Sequence, residues 1–382
     1  MNATELLSGL VSFPTISSAS NLKLLNWVET VLSPLNAMVR RFPNEDGTKA
    51  NLLVTIGPEV PGGIVLSGHT DVVPTEGQAW TGDPFVLREK DGMLIGRGAD
   101  DMKGFLACAL ALALKLKGKP LKRPVILAFS YDEEVGCTGV WSMAEWLGNS
   151  GLAPELAIIG ESSGLKVVDA HKSGMIGWTH VTGKPGHSSK PDIFVNAVMV
   201  AANLIAFIDR IRKEMREKGP RFEGMDPPYS TIQVNQISGG LHGNIVPEQC
   251  KFFWEMRVVP GVETQDVFDR ITRYVAEELE PAMKAVDPAC GIRFEVQAQI
   301  PPLAPTANGA ILEKLMALSG GQKTPLQVSY GTEAGIFQRF GVPAVVWGPG
   351  GGMAHQPDEA ISLAELEQCI ALMEQLVDEC LC

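Results

Sequence analysis

Five short clusters in the 382-residue sequence set imidazoles and carboxylates at spacings that can do chemistry. Gly68-His69-Thr70-Asp71 follows the apolar run Ile64 to Ser67, so His69 emerges at the carboxyl end of an expected strand, where α/β proteins place their ligands. Residues i and i+2 of an extended segment share a face, so Asp71 is expected to accept the second imidazole N–H of His69 and fix its tautomer. Gly96-Arg97-Gly98-Ala99-Asp100-Asp101-Met102-Lys103-Gly104 is a glycine-rich turn opening a helix. It is not a phosphate cradle, because the Walker spacing is absent and two acids would repel phosphate. Asp100 is expected to cap the helix, which leaves Asp101 for other work.

Asp132-Glu133-Glu134 places three acids after a largely apolar strand, a costly arrangement unless cations hold them. Along an extended backbone Glu133 and Glu134 would point to opposite sides and take different tasks. Gly160-Glu161-Ser162-Ser163-Gly164 spells the nucleophile elbow of serine hydrolases, but the β-rich stretch Leu165 to Ala170 follows where that motif requires a helix. Glu161, at a strand end, is the more useful residue. The last cluster, Gly348 to Asp358, delivers a second imidazole, His355, on a glycine-rich loop.

His69, Asp101, Glu134, Glu161 and His355 thus supply two imidazoles and three carboxylates from strand ends or a helix start facing one edge. That is the set two metals with one shared carboxylate need, and imidazole with carboxylate suits zinc or cobalt. Glu133 is left free to take a proton from water between the metals. The rivals from other classes are a serine hydrolase using Ser162 and a non-catalytic metal- or peptide-binding protein. Glu133 counts against the second, since a binding module needs no proton shuttle.

The elements that must position these residues alternate. Strands are expected at Asn51 to Ile56, Ile64 to Ser67, Pro124 to Ser130, Glu155 to Ile159 and Pro343 to Trp347, with a helix over Met102 to Lys117. Ser362 and Glu365 form a capping box at a C-terminal helix. The pattern predicts an α/β domain with a largely parallel sheet and helices on both faces. Between its halves the order becomes βαββαβ, from strand Met175 to Thr182 through strand Ile292 to Ala298, the split layout of a ferredoxin-like domain. We therefore divide the chain into residues 1–173 with 302–382, and an insertion of residues 174–301.

Composition narrows the function classes. Hydrophobic residues at 45% and charged residues at 20% describe a globular chain, and 382 residues suit two domains. A net charge of -12 excludes a nucleic-acid partner, whose affinity would come from lysine and arginine. The longest apolar run, Phe105 to Leu114, is too short to span a membrane and reads as a buried helix. No secretory signal is evident, so the cytoplasm is the expected location. The seven cysteines are scattered and form neither a disulfide framework nor a thiolate metal site.

Taken in order, Gly-His-x-Asp at His69 and Asp71, Gly-Arg-Gly-x-x-Asp-x-Lys-Gly at Gly96 to Gly104, Asp-Glu-Glu at Asp132 to Glu134 and the late His355 resemble the dinuclear zinc deacylase and exopeptidase family. Its members include acetylornithine deacetylase, succinyl-diaminopimelate desuccinylase, aminoacylase and glutamate-cleaving carboxypeptidases. The resemblance covers nearly the whole length. It implies two Zn2+ ions, replaceable by Co2+ or Mn2+, with Asp101 bridging, His69 and Glu161 completing one site, and Glu134 and His355 the other. It further implies Glu133 as general base, Asp71 as support for His69, and a cis peptide at Asp101-Met102. Many members have proline after the Glu161 position; this chain has Ser162.

Gly186-His187-Ser188-Ser189 resembles the family's lid motif, whose histidine enters the partner subunit's site, and so implies a homodimer formed through the insertion. Asn244 and Arg257 stand where relatives hold the substrate α-carboxylate. The stretches Asp226 to Thr231 and Tyr330 to Ala334 are most like those of relatives that cleave N-acetyl-L-ornithine, an arginine-biosynthetic reaction, and Glu333 is expected to face that substrate's distal ammonium. Desuccinylase, aminoacylase and metallo-dipeptidase activities are the alternatives within the family.

Overall fold

The computed structural model describes residues 1–305 and 307–382. These form two compact units, residues 1–170 with 303–327 and 332–382, and residues 171–302 with 328–331.

Among the described residues the first unit is built on an eight-stranded sheet. Its centre is parallel: Val125–Ser130, Ile64–His69, Leu156–Ile159 and Ala344–Val346 lie side by side in that order. The margins are antiparallel, with Ala50–Ile56 pairing Val125–Ser130 and Met38–Pro43 pairing Ala50–Ile56. The strands Ala50–Ile56, Ile64–His69 and Val125–Ser130 are buried along their whole length, which is why apolar residues run consecutively through them, as in Leu52 to Val54, Ile64 to Leu66 and Val125 to Phe129, rather than alternating. Helix Gly104–Lys115 is apolar nearly all round and buried from Gly104 to Ala113, packing against Ala3–Val11 and Leu363–Cys380. The parallel centre means that His69, the Asp132 loop, Glu161 and the Gly348 loop all leave the sheet at the same edge.

A small antiparallel sheet of Arg88–Lys90, Met93–Ile95 and Ala360–Ser362 was not foreseen; its strands are three residues each, too short for periodicity to show. Ser362 caps the last helix by accepting from Glu365 N–H at 3.4 Å, but the reciprocal half of the capping box is diverted: the Glu365 carboxylate accepts from Gly350 N–H at 3.0 Å.

In the second unit four antiparallel strands run in the order Thr231–Gly239, Gln249–Val258, Ser173–Thr182, Gly291–Ile300. With helix Ala197–Lys218 after the first strand in the chain and Thr264–Tyr274 after the third, this is the split βαβ order. Its core joins Phe252, Trp254 and Met256 to Leu204, Ile208 and Ile271 from the helices. No helix among the described residues is long and apolar enough to cross a membrane.

Candidate metal centre

His69 is the last residue of its strand and is 1% exposed. Its Nε2 stands 3.0 Å from Asp101 Oδ1 and 3.8 Å from Glu161 Oε1. His355, at the tip of its loop with φ of 64°, sets Nε2 3.0 Å from Glu134 Oε2 and 3.2 Å from Asp101 Oδ2. The two oxygens of Asp101 are therefore divided between the two imidazoles. Ligand atoms of His69, Asp101 and Glu134 lie within 4.8 Å of one another, and so do those of His69, Glu133 and Glu161. All six side chains expected at the centre, the five expected as ligands and Glu133, are brought together, and the Asp101-Met102 peptide is cis.

Three expectations are corrected in detail. The Nδ1 of His69 meets the backbone carbonyl of Asp71 at 2.9 Å, while the Asp71 carboxylate is 3.6 Å away. That carboxylate instead accepts from the Ser17 hydroxyl at 2.7 Å and from the backbone N–H groups of Glu133 and Glu134 at 3.1 and 3.3 Å. Glu133 and Glu134 do not point to opposite sides, because the backbone there is not extended: Asp132 has φ of 57° and Glu133 begins a turn, its carbonyl accepting from Gly136 and Cys137. Both carboxylates consequently face His69. Asp100 does not cap the helix; its carboxylate accepts from Gly351 N–H at 3.0 Å and Met353 N–H at 2.9 Å.

The serine-hydrolase alternative fails. The Ser162 hydroxyl donates to the Asp100 carbonyl at 2.8 Å and to its carboxylate at 3.2 Å rather than to an imidazole, and the next element is strand Val168–His171, not a helix. Gly160, just before Glu161, could carry no side chain, since a Cβ there would lie 2.0 Å from the Phe105 ring.

Electrostatically the cluster is an excess of buried acid. Burial, reinforced by Glu134 and Asp101, pushes the Glu133 carboxyl up to about 8 against the pull of His69, and Glu161 well above the usual carboxylate range. Hydrogen bonds to Asp101 and Glu134 raise His355 to about 10. Burial would depress His69, but Asp101, Glu161 and Glu133 outweigh it and hold the imidazole well above its ordinary value. Carboxylates this close to one another and to two imidazole nitrogens form a donor set that fits divalent zinc or cobalt, whose charge would ionise them.

Residues with no task assigned from the sequence frame this set: Arg97 and Lys103 of the glycine-rich motif, and Glu359 outside any motif. Arg97, fully buried, pairs with Glu359 at 2.6 Å and with Gln78, and Glu359 accepts the backbone N–H groups of Asp100 and Asp101 at 2.9 and 3.0 Å. Lys103 is equally buried, donates to the Phe13 carbonyl at 2.8 Å, and is pushed down to about 7 by burial that Glu359 and Asp71 only partly offset. Two cations in one buried turn were the available signal, since each needs a buried acceptor.

Glu333, in the first unit, is 1% exposed, and among the described residues neither carboxylate oxygen has a hydrogen-bond partner. Burial pushes it up to about 7; the nearby Ser130 hydroxyl, which pulls it back, makes no hydrogen bond of ordinary geometry. The other residues proposed for substrate lie in the second unit. His187 is exposed on a two-residue strand paired with Ile245, its Nδ1 2.8 Å from the Ser189 hydroxyl. Asn244, exposed beside it, accepts from Ser188 N–H at 3.1 Å through its carbonyl. Arg257 is bound through Nε to Glu255 at 2.5 Å, and one terminal nitrogen reaches the Ser329 carbonyl at 3.5 Å.

Residues 65–379 match the model of the peptidase family M20/M25/M40. The chain is 35% identical over 393 residues to the acetylornithine deacetylase of Proteus mirabilis, covering 98% of this chain and 95% of that one. It is 33% identical to the acetylornithine deacetylase of Myxococcus xanthus, over 97% and 95% of the two chains. Among solved structures it resembles an M20 family metallo-carboxypeptidase from Sulfolobus solfataricus, with a TM-score of 0.75 at 20% identity over 99% and 98% of the chains. A tripeptidase from Staphylococcus aureus gives 0.73 at 17% identity over 99% and 97%. These structures share the fold.

Proposed function

Since the chain belongs to the peptidase family M20/M25/M40 and is a hydrolase of amide bonds, we propose that it hydrolyses an N-acyl amino acid, N-acetyl-L-ornithine, to L-ornithine and acetate. The deacetylases matched over nearly their full length support this substrate and, with it, a place in arginine biosynthesis. The observation that carries the chemistry is the division of Asp101, Oδ1 toward His69 and Oδ2 toward His355.

In this reading Asp101 would bridge two zinc ions, with His69 and Glu161 completing one position and Glu134 and His355 the other. Bound there, the ions would supply Lewis acidity toward the amide carbonyl and toward water. Glu133 takes the proton of the attacking water and returns it to the leaving amine, which requires its carboxylate to be ionised before the water attacks. Asp71 holds Glu133 in place through its backbone N–H. The planar fork of Arg257 binds the α-carboxylate, and Asn244, which lies beside His187 at the other end of strand Gln249–Val258 from Arg257, contributes to that site together with His187. His187, from a second copy of the chain in a homodimer, donates to the developing oxyanion. Glu333, buried without a partner, meets the distal ammonium.

The test is amine release from N-acetylornithine, succinyl-diaminopimelate and N-acetylmethionine by the purified protein. A higher kcat/KM for N-acetylornithine is expected. Preference for either of the others keeps the hydrolase and overturns the substrate.

A further inference from the structure

Asp100 takes no part in the scheme above, yet it is 2% exposed and both oxygens of its carboxylate are hydrogen-bonded. Its Oδ1 accepts from Gly351 N–H at 3.0 Å and from the Ser162 hydroxyl at 3.2 Å, and its Oδ2 accepts from Met353 N–H at 2.9 Å. The same Ser162 hydroxyl donates to the Asp100 carbonyl at 2.8 Å. Asp101 follows in the chain, Glu161 precedes Ser162, and His355 lies two residues beyond Met353. Three ligand-bearing loops therefore meet at one carboxylate.

These loops do not depend on it equally. His69 ends a fully buried strand, and Glu161 follows a strand paired on both sides, in a loop whose Gly164 and Leu165 N–H groups also donate to Gly350 and Gly348. His355 has no such frame. Its side chain is 53% exposed, and Gly350, Gly351, Gly352 and His355 itself all have positive φ, a backbone with much freedom to lose on ordering. Between Gly350 and His355 the loop is tied by the two Asp100 bonds, by Gly350 N–H to Glu365, by the Gly350 carbonyl accepting from Gly164 N–H, by the Gly352 carbonyl accepting from the Gln356 amide and by the His355 carbonyl accepting from Gln78, so that the only ties on Gly351 and Met353 are those of Asp100 among the described residues. Gly350 is packed so closely that a Cβ there would lie 1.9 Å from Asp100 Oδ1.

We propose that Asp100 is a positioning residue that holds the His355 loop against Asp101 and Glu161, and so sets metal affinity at the position completed by Glu134 and His355 rather than at the position of His69 and Glu161. This rests on the two-metal reading. Groups that orient metal ligands from outside typically change affinity by about 10–100-fold when removed.

The experiment titrates the metal-free, full-length protein with Co2+, followed by its visible absorption, and with Zn2+ by calorimetry. Wild type is expected to take up two equivalents. Asp100→Ala should weaken one equivalent by about 10–100-fold, with the profile of His355→Ala and not of His69→Ala. Gly350→Ala should give the same profile from the loop side, with no carboxylate removed, and decides the matter if Asp100→Ala does not fold. Amide exchange in the metal-free protein should quicken at Gly351 and Met353 in both variants while strand Ile64–His69 stays protected. Equal weakening of both equivalents, or of neither, with that strand still protected would overturn the proposal. A wild type that binds fewer than two equivalents would overturn the two-metal reading instead.

Discussion

Replacing Glu333 by glutamine keeps the shape of a buried side chain and removes its charge. The folded protein holds the Glu333 proton up to about 7, whereas an unfolded chain releases it near 4.5. Between those values the folded state binds more protons than the unfolded state, so this group's contribution to stability falls as pH rises, and the cost is complete above about 7. At 1.36 kcal/mol per pH unit the gap corresponds to roughly 3 kcal/mol. Glutamine has no proton to lose. In metal-free, substrate-free protein, Glu333→Gln should therefore match wild type near pH 4.5 and exceed it by up to about 3 kcal/mol at pH 8. Urea denaturation of both proteins at the two pH values measures this, using the transition that unfolds the first unit. A difference of the same size at both pH values would refute the electrostatic account of this residue. The functional counterpart is that the variant loses kcat/KM on N-acetylornithine but not on N-acetylmethionine; unchanged discrimination would remove Glu333 from the substrate site.

Glu133→Gln should lower kcat by about 10²–10⁴-fold with metal content and KM near wild type, checked by steady-state kinetics alongside metal analysis. Arg257→Lys keeps the charge but loses the planar fork, so KM should rise well beyond any change in kcat; equal KM in the two proteins would remove Arg257 from carboxylate binding. Leu110→Ala, at a fully buried position of helix Gly104–Lys115, should cost about 2–5 kcal/mol in urea titration while leaving the metal stoichiometry unchanged.

The clustering of His69, Asp101, Glu134, Glu161 and His355 was legible because each sits at a strand end or turn that short-range pattern marks. An apolar run followed by His69, or by Asp132 to Glu134, locates both the element and the edge at which the side chain leaves it. What could not be read was set by distant partners or by backbone geometry. Asp100 looked like a helix cap because its three partners, Ser162, Gly351 and Met353, lie 62, 251 and 253 residues away. Glu133 and Glu134 were assigned opposite faces on the assumption of an extended chain, which the left-handed Asp132 breaks. The Glu365 half of the capping box gave way to a tertiary contact with Gly350, a case of long-range packing overriding a local motif. Glu359 carries no motif at all, and only the buried Arg97 and Lys103 of the glycine-rich turn signalled that such an acceptor must exist.

If His69, Asp101, Glu134, Glu161 and His355 hold divalent metal, amide hydrolysis must depend on it. The most direct test is the rate of N-acetylornithine cleavage by one preparation before chelation, after chelation, and after stepwise return of zinc or cobalt. Activity is expected to disappear on chelation and to return as metal is added, up to two equivalents. Activity that survives thorough metal removal would contradict this dependence.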